Sequence, residues 1–273
     1  MSLKIKFQNK LAREGLTSAM LASIRWTCRR LGLPFFIEPY DYIQGHFEKH
    51  LHRYLSLPRE KVGLIVTVGA HLGDEVQRML RRYPKIRFQL YEASPRYSVP
   101  LKHRFSSEKR VSVHECAVSD VEGTLTFHET NLSGSGSLLK SNDLAKQCYG
   151  MHNSESFVVK AVRLDQHSLE QSYSLEEIDC LWIDVQGAER AVLAGAEGIL
   201  HRVKSVFVEV AMLDTLYNQG TRFDDIVKLL HPAGFSLLGL GVDPANGTGN
   251  AIFVRRKSDD AIQKLIKEEL FNA

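Results

Sequence analysis

Residues 62–74 read VGLIVTVGAHLGD, and this stretch decides the fold. Its first eight residues form an apolar, β-branched run that is typical of a buried strand. Glycines at 69 and 73 then allow a tight turn. Residues 73–83 have acids at their start and arginines at their end, as the dipole of a helix favours. The stretch therefore predicts a buried strand that turns directly into a helix.

The same alternation continues along the chain. Residues 86–92 and 111–118 predict two more strands. Ser94 and Pro95 begin the helix between them, because serine caps helices and proline suits the first helical position. Further strands are predicted at 178–184, 203–210, 235–242 and 251–255, with helices at 187–201, 222–230 and 259–270. Alternating strands and helices are typical of a doubly wound, mostly parallel α/β sheet.

Residues 123–129 and 157–164 interrupt this rhythm, because their polar and apolar side chains alternate as in antiparallel strands. They predict an inserted β-hairpin. The segment between them contains the Gly/Ser-rich residues 133–137, and a loop of that length in a compact domain is usually functional or disordered. Two interpretations stay open, a lid over a substrate and a merely flexible connection.

The composition and charge of the chain limit the classes of protein and of partner that can be expected. The chain has 273 residues, 44% of them hydrophobic and 25% charged, with a formal net charge of +3. These values exclude a fibrous or disordered chain, and the small basic excess gives no reason to expect a nucleic-acid partner. Four scattered cysteines without metal-ligand spacing predict reduced thiols, a cytoplasmic protein and no cysteine-based metal site. Neither a signal peptide core nor an apolar run long enough to span a membrane is found.

The N-terminal region differs from the rest. Residues 1–60 are predicted as a helical extension, 61–257 as the α/β domain and 258–273 as a C-terminal helix. Residues 1–31 contain seven basic side chains and a single acidic one, Glu14. Such a basic amphipathic helix either makes a peripheral contact with an anionic membrane surface or packs on the domain with its basic face in water.

Two signals indicate the cofactor. The glycine turn at Gly69 and Gly73 lets the backbone approach a ligand, but it lacks the GxGxxG pattern of a dinucleotide site. Glu92 ends the next predicted strand, 23 residues after Gly69, where an acid can accept hydrogen bonds from both hydroxyls of a ribose. Together they favour S-adenosylmethionine over a nicotinamide cofactor.

A third signal is more specific. Residues 178–190 read IDCLWIDVQGAER, followed by VLAGA at 192–196. Asp184 stands at the carboxyl end of a predicted buried strand, where open α/β sheets bind their ligands, and Gly187 allows the turn into the next helix. A helix-capping carboxylate is the structural alternative for such an acid.

With these motifs the chain resembles the FkbM family of S-adenosylmethionine-dependent methyltransferases over about residues 62–256. The resemblance rests on GAHLG at 69–73, EASP at 92–95, LD at 164–165, DVQGAE at 184–189 and FVEV at 207–210. It implies a Rossmann-like class I methyltransferase fold. This is an α/β fold whose seven-stranded, mostly parallel sheet has helices on both faces and an antiparallel last strand.

The resemblance also implies the ligands. The acceptor would be a small molecule or glycan that carries a hydroxyl, such as a sugar or a natural product. The cofactor-binding residues would be Val68, Gly69, Ala70 and Gly73 at the methionine part, Glu92, Ala93 and Ser94 at the ribose, Ala117, Val118 and Ser119 at the adenine, and Asp184.

Four positions depart from the family pattern. Thr67, Ala93, Trp182 and Gln186 stand where the family often has Asp, Pro, Lys and Glu, respectively. The changes at 67 and 186 remove two acids near the predicted site. They leave open an alternative of the same fold, a non-catalytic protein that binds S-adenosylmethionine or serves in assembly.

Methylation of a hydroxyl requires loss of its proton, and a general base contributes about 10²–10⁴-fold to such a step. Asp184 is the leading candidate because it follows the fourth strand of the predicted doubly wound sheet, beside the cofactor loop. Glu209 and His71 are the other candidates. Asp184 and Glu209 also offer the oxygen ligands that Mg²⁺ accepts, so metal-assisted transfer is a further alternative, although no dedicated metal motif occurs.

Overall fold

The computed structural model describes residues 37–38, 40–170, 176–243 and 247–256. Their strands are β1 (Ile37–Glu38), β2 (Leu64–Val68), β3 (Arg87–Tyr91), β4 (Val111–His114), β5 (Ala117–Val118), β6 (Gly123–Thr130), β7 (Asn153–Val162), β8 (Ile178–Ile183), β9 (Ser205–Ala211), β10 (Phe235–Val242) and β11 (Thr248–Arg255). Their helices are α1 (Tyr40–Tyr54), α2 (Asp74–Arg82), α3 (Pro95–Arg104), α4 (Asp143–Tyr149), α5 (Leu164–Glu170), α6 (Glu189–Gly195) and α7 (Phe223–Leu230), with 3₁₀ turns at Arg59–Lys61 and Glu197–Arg202.

The main sheet has the strand order β1-β10-β11-β9-β8-β2-β3-β4. Among these strands β11 alone runs antiparallel to its neighbours, so the expected mostly parallel sheet with an antiparallel last strand is confirmed. The inserted hairpin is confirmed as well, since β6 and β7 pair in antiparallel fashion. Together with β5 they form a separate three-stranded sheet.

Three predicted elements were wrong in detail. The region predicted as purely helical contains β1, which pairs with β10 and covers an edge that would otherwise expose unpaired backbone groups. The predicted strand 111–118 is divided, because Ala117 and Val118 leave the main sheet to pair with β7. Helix α6 stops at Gly195 and continues as a 3₁₀ turn; a side chain at that glycine would lie 2.0 Å from the carbonyl oxygen of Ser119.

Helices cover both faces of the sheet because successive strand residues point to opposite sides. Leu64, Val66 and Val68 pack in the core beneath α6 and α7. Ile65 packs in the other core, with side chains of α1, α2 and α3. In that second core Phe47 of α1 is fully buried and stacks on Phe207 at 5.0 Å between ring centroids, so α1 is part of the domain's packing.

Strand register brings the motifs together. Val68 pairs with Tyr91 on β3 and with Ile183 on β8, and Ile183 pairs with Val208 on β9. The residues that follow these partners therefore stand side by side at the carboxyl edge of the sheet. They are Gly69, Glu92, Asp184 and Glu209.

Several predictions lie outside the described residues. They are the basic helix of residues 1–31 with its membrane contact, and the helix at 259–270. Within the described ranges, no helix combines the length and the apolar character that a membrane span needs.

Candidate functional site

A cavity of about 320 Å³ opens at the carboxyl edge of the sheet, beneath the Gly/Ser-rich segment 133–137. Most of the predicted site residues line it: Val68, Gly69, Ala70, His71, Glu92, Ala93, Ala117, Val118 and Asp184. The others do not, namely Gly73, Ser94, Ser119 and Glu209. Strand ends and loops distant in sequence thus converge on one space.

The turn after β2 packs directly against Asp184. The backbone N–H groups of Gly69 and Ala70 donate to the carbonyl oxygen of Tyr91 at 2.9 and 3.2 Å. Gly69 has a φ of +83°, and a Cβ there would lie 1.7 Å from the carbonyl oxygen of Asp184. Only glycine fits this position, because both the conformation and the space exclude a side chain.

Glu92 is held by backbone donors. Its carboxylate oxygens accept hydrogen bonds from the N–H groups of His71 at 2.7 Å and Ser94 at 2.9 Å. Burial raises the pKa of Glu92 to about 7, although these backbone donors oppose the shift. Each oxygen keeps a further lone pair, so the fixed carboxyl can still accept hydrogen bonds from the hydroxyl groups of a ribose.

Next to Glu92 the cavity becomes an apolar slot. Its walls are the side chains of Ala93, Ala117, Val118, Phe127 and Leu138. A slot with aromatic and aliphatic walls suits a flat heterocycle such as adenine. Ser119 is not part of these walls: its Oγ donates to Asp120 Oδ1 at 3.1 Å, and its carbonyl oxygen packs against Gly195 of α6.

Asp184 belongs to a hydrogen-bonded network centred on Gln186. The Gln186 Nε2 amide donates to Asp184 Oδ1 at 2.8 Å and to Glu209 Oε2 at 2.7 Å. On its other side, Gln186 Oε1 lies 3.0 Å from the Tyr217 hydroxyl, which also lies 2.8 Å from the carbonyl oxygen of Ser135. One amide thus joins two carboxyl groups to the Gly/Ser-rich segment.

Glu209 borders a separate cavity of about 40 Å³ behind Gln186, together with Glu189. Burial, followed by the negative charge of Asp184, raises the pKa of Glu209 well above its ordinary value. Glu209 therefore favours its protonated form beside Asp184. Of these two residues, Asp184 lines the main cavity, whereas Glu209 borders the smaller one.

His71 stands between the glycine turn and the Gly/Ser-rich segment. Its backbone takes the left-handed φ of +46°, and its ring lies 4.2 Å from that of Tyr97 between centroids. His71 Nε2 lies 3.4 Å from Ser133 Oγ. Burial lowers the pKa of His71, which favours its neutral form.

The Gly/Ser-rich segment covers the cavity and is tied down at both ends. Ser133 Oγ lies 3.1 Å from the Tyr97 hydroxyl, to which the Gly134 N–H donates at 3.1 Å. Ser137 exchanges two backbone hydrogen bonds with His128, at 2.8 and 3.0 Å. This ordered placement favours the lid interpretation over a merely flexible connection.

Sequence reasoning missed part of the cavity wall. Gln44 of α1 and Glu75 of α2 line it, and burial raises the pKa of Glu75 to about 7. Glu75 lies two residues after Gly73 and could have been noticed there, whereas nothing near Gln44 forms a motif. No group of three or more metal-ligating side chains occurs in the part of the chain that the structure describes.

Glu189 lies just behind this site, and we expect a Glu189→Gln substitution to stabilise the fold in a pH-dependent way. Glu189 is 2% exposed, it accepts the Gly187 N–H at 2.9 Å, and burial raises its pKa to about 7 from 4.5. Its contribution to stability is therefore complete below pH 4.5 and lost as the pH rises through 7. Glutamine mimics the protonated form, so the gain should be about 3 kcal/mol at pH 8 and about 1 kcal/mol at pH 5.

Urea unfolding at both pH values measures this difference. Glu197→Gln is the matched control, because Glu197 is exposed and should give no gain at either pH. A Glu189→Gln gain that did not change with pH would show that the buried charge is not its source.

Comparisons with known proteins find similarity to methyltransferases. The model of the methyltransferase FkbM domain matches residues 67–237. The 2-O-methyltransferase NoeI of Sinorhizobium fredii (strain NBRC 101917 / NGR234) is 29% identical over 167 residues, which cover 58% of this chain and 68% of NoeI. Methyltransferase sdnD of Sordaria araneosa is 28% identical over 214 residues, covering 70% and 80% of the two chains.

Among solved structures, Aeropyrum pernix fibrillarin in complex with S-adenosyl-L-methionine aligns with a TM-score of 0.44 at 13% identity, over 77% of this chain and 74% of that one. An O-methyltransferase family protein from Burkholderia thailandensis aligns with a TM-score of 0.43 at 12% identity, over 92% and 63% of the two chains.

Proposed function

Because the chain belongs to the FkbM methyltransferase family, we propose that it methylates a hydroxyl oxygen of a sugar or glycan acceptor. It is an S-adenosylmethionine-dependent methyltransferase, and the relative NoeI is named a 2-O-methyltransferase. The observation that carries the proposal is the position of Asp184. Asp184 lines the cavity, and its backbone carbonyl packs against the glycine turn at Gly69.

The residues of the cavity fit the cofactor. Gly69 leaves room where a Cβ would collide, Glu92 offers a fixed carboxyl for the ribose, and the slot beside Ala93 and Phe127 suits the adenine. When bound, S-adenosylmethionine supplies an electrophilic methyl group on a sulfonium sulfur. We assign the cofactor-holding roles to these residues and the proton-accepting role to Asp184.

The acceptor hydroxyl must be oriented as well as deprotonated. The wall formed by Gln44, Glu75 and His71 supplies polar groups that can hydrogen-bond to the hydroxyls of a sugar. The lid segment excludes water above them, and correct alignment alone can lower such a barrier by roughly 7–11 kcal/mol. In this proposal Asp184 accepts the hydroxyl proton at its carboxylate, while Glu209 stays protonated behind it.

The site keeps polar groups despite the residues that depart from the family pattern. Thr67 is buried within β2, and Trp182 is 4% exposed, with its ring 4.1 Å from that of Phe207. Gln186 replaces a family acid but holds both remaining carboxyls by hydrogen bonds. These contacts favour an enzyme over the non-catalytic alternative.

We expect Gln186→Leu to lower kcat by about 10–100-fold, because hydrogen bonds to charged groups contribute about 1.5–3 kcal/mol. The loss should appear in the single-turnover rate, since Asp184 loses the donor that fixes the position of its Oδ1 atom. Affinity for S-adenosylhomocysteine, measured by calorimetry, should stay unchanged. Gln219→Leu is the matched control, because Gln219 also has a left-handed φ of +58° but is exposed. A Gln186→Leu enzyme with an unchanged single-turnover rate would contradict the positioning role.

An acceptor screen tests the proposed function. The full chain is incubated with S-adenosylmethionine and panels of mono- and oligosaccharides, phenols, amines and carboxylic acids, and release of S-adenosylhomocysteine is measured. We expect turnover with sugars. Turnover with amines alone would overturn the hydroxyl acceptor, and cofactor binding without turnover on any panel would favour the non-catalytic alternative.

A further inference from the structure

A second recess lies outside the cavity, in a groove of about 640 Å³ between α1 and α2. Its lining is mostly basic: Lys49 of α1, Arg78, Arg81 and Arg82 of α2, and Arg59 of the 3₁₀ turn that follows α1. Neither the cofactor nor the proton transfer at Asp184 uses any of these side chains.

The charge of this basic groove is largely uncompensated. Arg78 makes two hydrogen bonds of 2.7 Å with the carboxylate of Glu48. The other four cations have no carboxylate within 4.0 Å in the described ranges of the chain, and each of them is exposed. Four unpaired positive charges in one groove exceed the formal net charge of +3 of the whole chain. Such a concentration attracts a multiply charged anion.

The basic groove begins where the cavity ends. Gln44 lines the cavity, and the next residue, Gly45, lines the groove. Likewise Glu75 lines the cavity, and Arg78, about one helical turn further along α2, lines the groove. A Cβ built at Gly45 meets no atom within 4 Å, so no side chain stands over the groove at this position. Along α2 a ligand must extend about 4.5 Å beyond Glu75 to reach the level of Arg78 and about 9 Å to reach that of Arg81.

We propose that the basic groove binds an anionic group of the acceptor, namely a diphosphate or a closely similar phosphate ester. This inference rests on the proposed function, because it assigns the sugar to the cavity and its phosphates to the groove. Guanidinium groups match phosphate oxygens with paired hydrogen bonds. Four unpaired cations favour a group that carries at least two negative charges in a small volume, as a diphosphate does.

Calorimetry with inorganic pyrophosphate tests the site without requiring methyl transfer. The full chain is compared with the double variant Arg81→Gln/Arg82→Gln and with the control Lys146→Gln/Lys160→Gln, which removes the same charge from exposed lysines of α4 and β7. We expect at least tenfold weaker binding in the groove variant and less than a twofold change in the control. Equal weakening in both variants, or no binding by the unmodified chain, would overturn the proposal.

Two further binding measurements distinguish a soluble phosphate ester from the phosphates of a lipid surface. Uridine diphosphate glucose should compete with pyrophosphate, whereas phosphatidylglycerol vesicles should bind no better than phosphatidylcholine vesicles. Preferential vesicle binding that depends on Arg81 and Arg82 and is not displaced by pyrophosphate would mark a membrane surface and contradict the proposal.

Kinetics separates this inference from the proposed function. The groove variant should raise KM at least tenfold for a sugar diphosphate acceptor, with kcat retained and KM for the neutral sugar unchanged. Equal KM changes for both acceptors would overturn the link between groove and acceptor. Pyrophosphate binding by a chain that methylates no acceptor would overturn the proposed function while leaving the anion site in place.

Discussion

Asp184→Asn is expected to lower kcat by about 10²–10⁴-fold, the range that a general base contributes. Asparagine keeps the size of the side chain and can still accept the Gln186 amide through its Oδ1 atom, but it cannot take a proton from a hydroxyl. Affinity for S-adenosylhomocysteine should stay within about threefold, because the glycine turn and Glu92 are unaltered. Single-turnover kinetics and calorimetry measure the two quantities.

Glu209→Gln is the matched variant for this experiment. Glutamine resembles the protonated form that burial and the charge of Asp184 favour at Glu209. We therefore expect a much smaller loss, of less than about tenfold, from this variant. Full turnover by a folded Asp184→Asn enzyme would refute the assignment of the base and would direct attention to Glu209 or His71.

Gly69→Ala is expected to weaken cofactor binding strongly and to destabilise the fold by about 3 kcal/mol or more. The added Cβ would lie 1.7 Å from the carbonyl oxygen of Asp184 and 2.8 Å from its carbonyl carbon, so the backbone of one strand end must move. The φ of +83° adds strain for any residue with a side chain. Affinity for S-adenosylhomocysteine should fall at least about 100-fold, since turn and base are displaced together.

Gly150→Ala is the control for conformational strain alone. Gly150 ends α4 with a φ of +62°, and a Cβ there meets no atom within 4 Å. The Gly150→Ala substitution should lower the free energy of unfolding by about 1–2 kcal/mol and leave cofactor affinity unchanged. Similar losses in both variants would show that strain, and not the close approach to Asp184, explains the effect at Gly69.

The sheet and its functional edge were predictable because they depend on local signals. The apolar run that ends at Gly69 specifies a buried strand, and the rule that ligands bind at the carboxyl ends of parallel strands places Glu92 and Asp184 at one edge. In the structure, the pairing of Val68 with Tyr91 and Ile183 places the residues that follow these three side by side. The positions of Gly69, Glu92 and Asp184 at this edge therefore follow from the sequence.

The remaining features depend on tertiary contacts that a single sequence does not display. The division of the predicted strand 111–118 follows from the pairing of Ala117 with Ala161, which only the folded hairpin supplies. Gln186 looked like a loss of charge, and its bridging role appears only when Asp184 and Glu209 stand on either side of its amide. The basic groove likewise requires α1 and α2 to pack side by side.

Locating the transferred methyl group tests the central claim most directly. A single turnover is run with S-adenosylmethionine whose methyl group is deuterated, a sugar acceptor from the screen, and either the unmodified chain or Asp184→Asn. Mass spectrometry and NMR then identify the atom that carries the label. We predict label on a hydroxyl oxygen of the sugar with the unmodified chain and almost none with Asp184→Asn. Label on another type of atom, or no transfer by a chain that binds the cofactor, would contradict the account.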